Sequence, residues 1–150
     1  MKYIDNRIIA AGLTVQYSDD EGDTFQSAVI NNSSITEEIR GVAVDEQTGA
    51  VVLTKAQGEI LISLDRGLTY NAIQVGVRSY APLSLGGGAW LVTSTAGEII
   101  YSPDNFESVE MVPVTIPMLG SSAWTIAQSG ENIIMGGDNG YASITPPLSA

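Results

Sequence analysis

The densest group of side chains that could do chemistry is a run of acids in segment 18–25, namely Asp19, Asp20, Glu21 and Asp23. Carboxylate oxygens are the ligands that Ca²⁺ prefers, so a cation could in principle bind here. The spacing is not that of the twelve-residue calcium loop, however, and a second copy of the segment carries Arg66 instead of an acid. We therefore predict that these acids build a turn and that no metal is bound.

Two residue types that most catalytic sites need are missing. The chain of 150 residues contains no histidine and no cysteine. Histidine is the commonest general base and metal ligand, and cysteine supplies thiolates and disulfides. A Ser-His-Asp triad, a thiolate metal site and a disulfide framework are thereby excluded. We expect no catalytic residue and no cofactor.

The charge pattern argues against two classes of partner. The formal net charge is −11, and the basic residues are scattered singly at Lys2, Arg7, Arg40, Lys55, Arg66 and Arg78. Without a basic stripe to meet phosphates, we expect no binding to nucleic acid. No signal-peptide apolar region and no apolar run of about 20 residues is present, so we expect no membrane insertion and a place in a virion or in the cytoplasm.

Segment 18–25 is repeated, and this repetition organises the chain. It recurs at 63–70 and, in degenerate form, at 102–109, with the serines 45 and then 39 residues apart. A turn that returns every 40 residues or so indicates one supersecondary unit used repeatedly. The pattern S-x-D-x-G-x-T-aromatic is defined by Ser18, Asp20, Gly22, Thr24 and Phe25, by Ser63, Asp65, Gly67, Thr69 and Tyr70, and in the third copy by Ser102 and Asp104.

Each position of the pattern has a physical role in a turn. The serine and aspartate oxygens can accept hydrogen bonds from backbone N–H groups, and the glycines suit a positive φ. We expect the aromatic rings of Phe25 and Tyr70 to lie between neighbouring units. In the third copy Phe106 replaces the glycine and Ser108 the threonine. We therefore expect a less regular turn there, without its aromatic anchor.

The sequence between the turns predicts short antiparallel strands. Runs of four to six β-branched and aliphatic residues alternate with glycine-rich or polar turns. Four strands are expected in each of the second and third units. The fourth unit has three, because Pro146 and Pro147 stand where its repeated turn would begin and proline pairs poorly within a sheet.

The repeated segment resembles the Asp-box, or BNR, repeat of sialidases, photosystem assembly factor propellers and phage structural proteins. The resemblance covers essentially the whole chain and implies an all-β fold, a β-propeller of about four four-stranded blades in a single domain 1–150. The blades would be 1–35, 36–78, 79–118 and 119–150. In this family the box is a structural turn, and in the enzymes it lies on the face away from the active site.

Sialidase activity is not expected, despite the shared box. Arg7, Arg40 and Arg78 recur at intervals of 33 and 38 residues, which is suggestive of the arginine triad that sialidases use for the substrate carboxylate. Sialidase propellers are six-bladed and more than twice this length, however, and no segment here matches their arginine motif. We predict that the protein is not an enzyme.

Three functions remain open, and the first is the leading hypothesis. They are a structural or interaction module of a virion or phage tail, a carbohydrate-binding propeller, and an assembly or scaffolding factor for a cellular complex. Tyr3, Arg78 and Tyr80 lie near strand ends and are the candidates for ligand contact, whereas Trp90 is expected in the core between blades. The ring could close within one chain, or a second subunit could complete it as a homo-oligomer.

Overall fold

The computed structural model describes residues 1–33, 38–55, 59–75, 79–94, 98–113, 123–129, 132–137 and 142–145. Within these ranges the chain is all β, as the alternating sequence predicts. The strands are β1 Lys2–Ile4, β2 Arg7–Ala11, β3 Val15–Ser18, β4 Gln26–Ser27, β5 Val29–Asn31, β6 Ile39–Asp45, β7 Ala50–Lys55, β8 Glu59–Ser63, β9 Thr69–Gln74, β10 Ser79–Gly86, β11 Ala89–Ser94, β12 Glu98–Ser102, β13 Glu110–Pro113, β14 Ala123–Ser129, β15 Asn132–Gly137 and β16 Ala142–Thr145.

These strands form successive sheets, here called blades 1 to 4. Blade 1 is the antiparallel sheet β1-β2-β3-β4, and blade 3 is the sheet β10-β11-β12-β13. Blade 4 comprises β14-β15-β16 in the described residues. Blade 2 has the order β5-β9-β8-β7-β6, so its four antiparallel strands carry a fifth strand from the preceding segment. The predicted all-β fold with four-stranded antiparallel blades is confirmed.

The fifth strand of blade 2 comes from residues that the predicted bounds assign to blade 1, 1–35. Gln26–Ser27 pairs with β3, but Val29–Asn31 crosses over and runs parallel to β9. The side chain of Asn32 continues this pairing, because its Oδ1 accepts a hydrogen bond from the Ala72 amide at 2.9 Å. The edge of β9 offers unpaired backbone groups that a passing strand can satisfy, so the chain leaves blade 1 early.

The core lies between the blades rather than within one of them. Side chains alternate along each strand, so the central strand β7 turns Val51 and Leu53 toward blade 1 and Ala50 and Val52 toward blade 3. The contact between blades 1 and 2 buries Ile4, Ile9, Val15, Leu61 and Tyr70. The contact between blades 2 and 3 buries Ile60, Ile62, Trp90, Val92, Ile100 and Phe106. Leu91, Ile99 and Ile133 join blades 3 and 4.

The blades stand side by side in the same orientation, so the molecule has two distinct faces. Gly41 near the start of β6 packs against Pro82 near the start of β10, and Gln47 after β6 contacts Gly86 at the end of β10. The repeated turns and the first hairpin turns of each blade therefore share one face, here called the box face. The starts of the inner strands, at Ile39 and Ser79, lie on the opposite face.

A buried carboxylate ties two blades together on the box face. Asp45 ends β6 with 2% of its surface exposed. Its Oδ2 accepts a hydrogen bond from the Gly88 amide of blade 3 at 2.7 Å and one from the Thr48 hydroxyl at 3.0 Å. The first hairpin turn of blade 2 is thus fixed to that of blade 3.

Candidate functional site

The repeated turns are closed hydrogen-bond networks. In blade 2 the Ser63 hydroxyl accepts a hydrogen bond from the Gly67 amide at 2.8 Å and donates to Asp65 Oδ1 at 2.7 Å. Asp65 accepts the amide of Thr69 at 2.9 Å and its hydroxyl at 2.6 Å. The box of blade 1 repeats every one of these bonds, with Ser18, Asp20, Gly22 and Thr24. Gly22 and Gly67 have φ of 92° and 88°, as predicted.

The third copy keeps the same network, so the expectation of a less regular turn is wrong. The Ser102 hydroxyl accepts the Phe106 amide at 2.8 Å, and Asp104 accepts the amide and hydroxyl of Ser108 at 2.8 and 2.7 Å. A serine hydroxyl replaces that of threonine without loss of a bond. Phe106 adopts φ of 66°, so the left-handed conformation does not require glycine here.

The aromatic residues occupy the space between blades in two different ways. Tyr70 is fully buried, as predicted, and Phe106 is buried with its ring centroid 6.3 Å from that of Trp90. The aromatic anchor of the third box is therefore moved, not lost. The prediction for Phe25 is wrong, because this ring is 40% exposed. It precedes the two-residue strand β4, which is followed by the crossover to blade 2.

Trp90 is a core residue, as predicted. It is fully buried, and its Nε1 donates a hydrogen bond to Asn105 Oδ1 at 2.9 Å. The ring therefore packs between blades 2 and 3, and the indole N–H is satisfied within its own blade. A buried and satisfied indole cannot serve as a stacking platform for a sugar.

The side chains of Asp20 and Asp65 are ionised, and their oxygens already accept hydrogen bonds within the turns. The Thr24 hydroxyl and amide and the Ser18 hydroxyl lower the pKa of Asp20 to about 2, because hydrogen bonds favour the charged form. Burial opposes the same effect at Asp65, but the hydrogen bonds from Thr69 prevail and its pKa is lowered. The described part of the chain contains no group of three acids placed to hold a metal ion.

Arginine side chains on the box face are engaged in pairs. Arg7 contacts Asp19 through two hydrogen bonds of 2.7 and 3.0 Å, and its Nη1 donates to the Arg66 carbonyl at 3.1 Å. Arg66 in turn pairs with Asp5. These contacts join the box of blade 2 to the first turn of blade 1. Arg7 is thus on the box face, whereas Arg40 lies near the start of β6 on the opposite face.

Two of the predicted ligand-contact residues, Tyr3 and Tyr80, lie in separate depressions. Tyr3 is 61% exposed and borders a depression of about 630 Å³ on blade 1, lined also by Asp5, Asn6, Ile8, Asp19 and Glu21. Tyr80 borders a second depression of about 300 Å³ on the opposite face, together with Glu38, Ile39 and Arg40. Arg78 lies outside the described residues.

The depression at Tyr80 contains the candidate interaction surface, which we define as Glu38, Arg40 and Tyr80. The guanidinium carbon of Arg40 lies 5.8 Å from the centroid of the Tyr80 ring, within the range of a cation–π contact. Ile39 pairs with Lys55 and Ser79 pairs with Ser94, so Arg40 and Tyr80 hold equivalent positions in successive blades. Both extend from inner strands, and the surface spans the junction of blades 2 and 3.

The backbone under this surface is well fixed. The Tyr80 carbonyl accepts a hydrogen bond from the Thr54 hydroxyl at 2.7 Å, and the buried Ser79 hydroxyl donates to the Lys55 carbonyl at 2.9 Å. Sequence reasoning singled out Tyr80 for ligand contact, considered Arg40 only as part of a sialidase arginine triad, and missed Glu38. The available signal was that Arg40 and Tyr80 align across the repeat while differing in residue type.

No helix in the described ranges is long and apolar enough to cross a membrane. No family model matches the sequence. No curated protein matches it either. Solved structures do match, and those described below share 12% to 19% of their residues with this chain.

The structural neighbours are β-propellers, and the chain spans about half of each. The TM-score is 0.70 to YCF48 from Cyanidioschyzon merolae, with 12% identity, covering 94% of this chain and 52% of that one. YCF48 bound to D1 peptide gives 0.64, with 14% identity and coverage of 89% and 44%. BamB from Moraxella catarrhalis gives 0.65, with 19% identity and coverage of 95% and 44%. These likenesses show that the chain has the fold of part of a β-propeller.

Proposed function

We propose that the chain is a non-enzymatic protein-binding module, an assembly or scaffolding factor that holds a peptide segment of its partner on the Glu38–Arg40–Tyr80 surface. The observation that carries this proposal is the pairing of Arg40 with Tyr80 at the junction of two blades, on the face without boxes. On the box face, by contrast, the described polar groups of the repeated turns are used within the chain.

The chemistry of the surface suits a short peptide. Arginine and tyrosine, together with tryptophan, are enriched among the residues that dominate binding energy at protein interfaces. Arg40 can donate to a carboxylate or carbonyl of the partner, and the ring of Tyr80 offers a flat apolar contact. Glu38 adds an acceptor for a backbone N–H or a basic side chain. A depression of about 300 Å³ is of a size to receive a small number of side chains.

Two further considerations favour protein binding over the other hypotheses. A structural neighbour of this chain, YCF48, was solved bound to D1 peptide. The motif resemblance also includes photosystem assembly factor propellers. Membership of a virion or phage tail, and the corresponding location, stays a prediction that these observations leave untested.

Carbohydrate binding is the second candidate function, although fewer aromatic residues are available for it than the sequence offers. Trp90 is buried, which leaves Tyr80 as the aromatic platform beside the polar groups of Arg40 and Glu38. A glycan array probed with the wild-type protein and with Tyr80→Ala distinguishes this candidate. Binding that Tyr80→Ala abolishes would favour it, and an array without signal would remove it.

The test of the leading proposal is an array of random synthetic peptides probed with the wild-type protein. We expect a reproducible peptide set whose affinity falls at least tenfold, roughly 1.4 kcal/mol, in Arg40→Ala and in Tyr80→Ala. Arg7→Ala is the matched control, because Arg7 also lies over a tyrosine ring, that of Tyr17, at 5.0 Å. Absence of any bound peptide, or equal loss with Arg7→Ala in a folded protein, would contradict the proposal.

A further inference from the structure

One apolar side chain of blade 4 is exposed where its counterparts are buried. Pairing aligns Ile134 in the second strand of blade 4 with Ile9, Val52 and Leu91 in the second strands of blades 1 to 3. Each counterpart faces the following blade, and their exposures are 0%, 0% and 1%. Ile134 is 38% exposed, and Ala127, its cross-strand neighbour, is exposed as well. The face of blade 4 away from blade 3 therefore has no blade against it among the described residues.

The residues equivalent to Ile134 in the other blades show what such a side chain packs against. A Cβ atom added to Gly67 would collide with Cδ1 of Ile9, so the isoleucine of blade 1 occupies the space above the box glycine of blade 2. Between blades 2 and 3 the same two positions hold a smaller residue, Val52, and a larger one, Phe106, and both belong to one buried cluster. At these two junctions a larger residue at one position therefore accompanies a smaller residue at the other.

Blade 1 presents an open space of the same kind on its other side. A Cβ added to Gly22 would meet only Cδ1 of Ile8, at 3.8 Å. The depression of about 630 Å³ beside it is bordered by Tyr3, Ile8 and Glu21. The box glycine of blade 1 is therefore free to receive an isoleucine, as Gly67 receives Ile9.

The share of known propellers that the chain covers indicates how many copies would complete a ring. The chain aligns with 44% to 52% of the length of the YCF48 and BamB propellers. We propose that two copies of this chain form one ring, head to tail, with Ile134 of each copy seated above Gly22 of the other. Such an interface joins two different faces, and it closes because two arcs complete the rotation.

The proposed interface is more polar than the contacts inside the chain. Ala10 and Gln16 stand on the open face of blade 1 at the positions that Leu53 and Leu61 occupy in blade 2. A contact between subunits that fold separately is expected to be less apolar than a domain core. Tyr3, 61% exposed and paired with Ile8, supplies an aromatic side chain to the open face of blade 1. These residues are distinct from the Glu38–Arg40–Tyr80 surface, so either proposal can fail without the other.

Sedimentation equilibrium of the full chain tests the proposal. We expect a mass twice that of the 15.8 kDa chain. Ile134→Asp, on an exposed side chain, should give a folded monomer, and Ile134→Val should remain a dimer. Gly22→Phe should also give a monomer, because the ring would occupy the space for Ile134.

The double variant Gly22→Phe with Ile134→Val makes the test specific, since it copies the pairing of Phe106 with Val52. We expect it to dimerise again while Gly22→Phe alone does not. A wild-type monomer at every concentration would overturn the proposal and would mean that another partner or further blades cover these faces. An assembly larger than two copies, or a dimer that survives Ile134→Asp, would overturn it as well.

Discussion

The two faces of the blades use their polar residues in opposite ways. On the box face the same serine and aspartate bonds recur in three blades, each satisfied by the next few residues of the chain. On the opposite face equivalent positions carry different residues, Arg40 in blade 2 and Tyr80 in blade 3. Hydrogen bonds that stabilise the blade fold are needed in every blade, whereas a surface that binds one partner is needed only once. The repeated bonds stabilise the box face, and the proposed function places recognition on the opposite face.

The boxes of blades 2 and 3 show which parts of the motif carry that stability. The hydrogen bonds that backbone amides donate to the serine and to the aspartate match within about a tenth of an ångström, although glycine is replaced by phenylalanine. What changes is the packing: Ile9 enters above Gly67, and Phe106 fills the corresponding space against Trp90. The serine and aspartate build the turn, and the glycine position adapts to the neighbouring blade.

The largest effect is expected from Phe106→Ala. The ring is 95% buried between blades 2 and 3, so its loss should lower the free energy of unfolding by about 3–5 kcal/mol. Denaturant unfolding followed by tryptophan fluorescence measures this, since Trp90 reports on the site. Phe25→Ala is the matched control on an exposed ring and should cost far less. Similar losses for the two variants would contradict the packing difference between the boxes.

Gly67→Ala should be the next most damaging change. Its φ is 88°, and the new Cβ would collide with Ile9, so we expect a loss of about 1–3 kcal/mol. Ile9→Val should recover part of it in the double variant, because the Cδ1 atom in the way is removed. Gly12→Ala, which meets no atom within 4 Å, is the control. Additive losses for Ile9→Val and Gly67→Ala would refute the contact.

The serines of the two boxes should be equally important. Ser63→Ala and Ser102→Ala each leave a backbone amide without its acceptor in a buried position, which costs about 1–3 kcal/mol. Ser27→Ala, at an exposed serine, is the control and should change the free energy of unfolding very little. If Ser102→Ala were much milder than Ser63→Ala, the third box would be degenerate in function as well as in sequence.

The smallest effect on stability is expected when the pH is lowered. The pKa of Asp20 is lowered from 3.8 to about 2 in the folded chain, so its contribution is fully present above pH 4 and is lost as the pH falls toward 2. The pKa values of Asp65 and Asp104 are lowered in the same direction. Thermal melting between pH 5 and pH 2 should show this decline, and Asp20→Asn should flatten it. An unchanged slope in Asp20→Asn would contradict the role given to this carboxylate.

Local chemistry could be predicted from the sequence, whereas contacts between blades could be predicted only in part, as for Tyr70 and Trp90. The turns of Ser18 and Ser63 were predictable because serine, aspartate and glycine act on backbone groups within a few residues. The all-β fold followed from the alternation of side chains and the 40-residue period. The burial of Phe106, the exposure of Phe25 and the crossover of β5 depend on what the neighbouring blade offers, which no local pattern encodes.

The candidate site shows the same limit. Tyr80 was predicted as a contact residue, but its neighbour Arg40 is 40 positions away and joins it only because blades 2 and 3 stand side by side. Tyr3 was grouped with Tyr80, although β1 places it near the first hairpin turn on the box face. A residue that lies near a strand end in the sequence can be on either face of the blade, and the sequence does not show which.

The most direct test of the division between the faces compares Arg40→Ala with Ser102→Ala in two assays, unfolding in denaturant and binding to the selected peptide. We predict that Ser102→Ala lowers the free energy of unfolding by about 1–3 kcal/mol and keeps the peptide affinity. Arg40→Ala should keep the free energy of unfolding within about 0.5 kcal/mol and lose at least tenfold in affinity. If folded Ser102→Ala loses the peptide, or Arg40→Ala retains it, recognition does not lie where we place it.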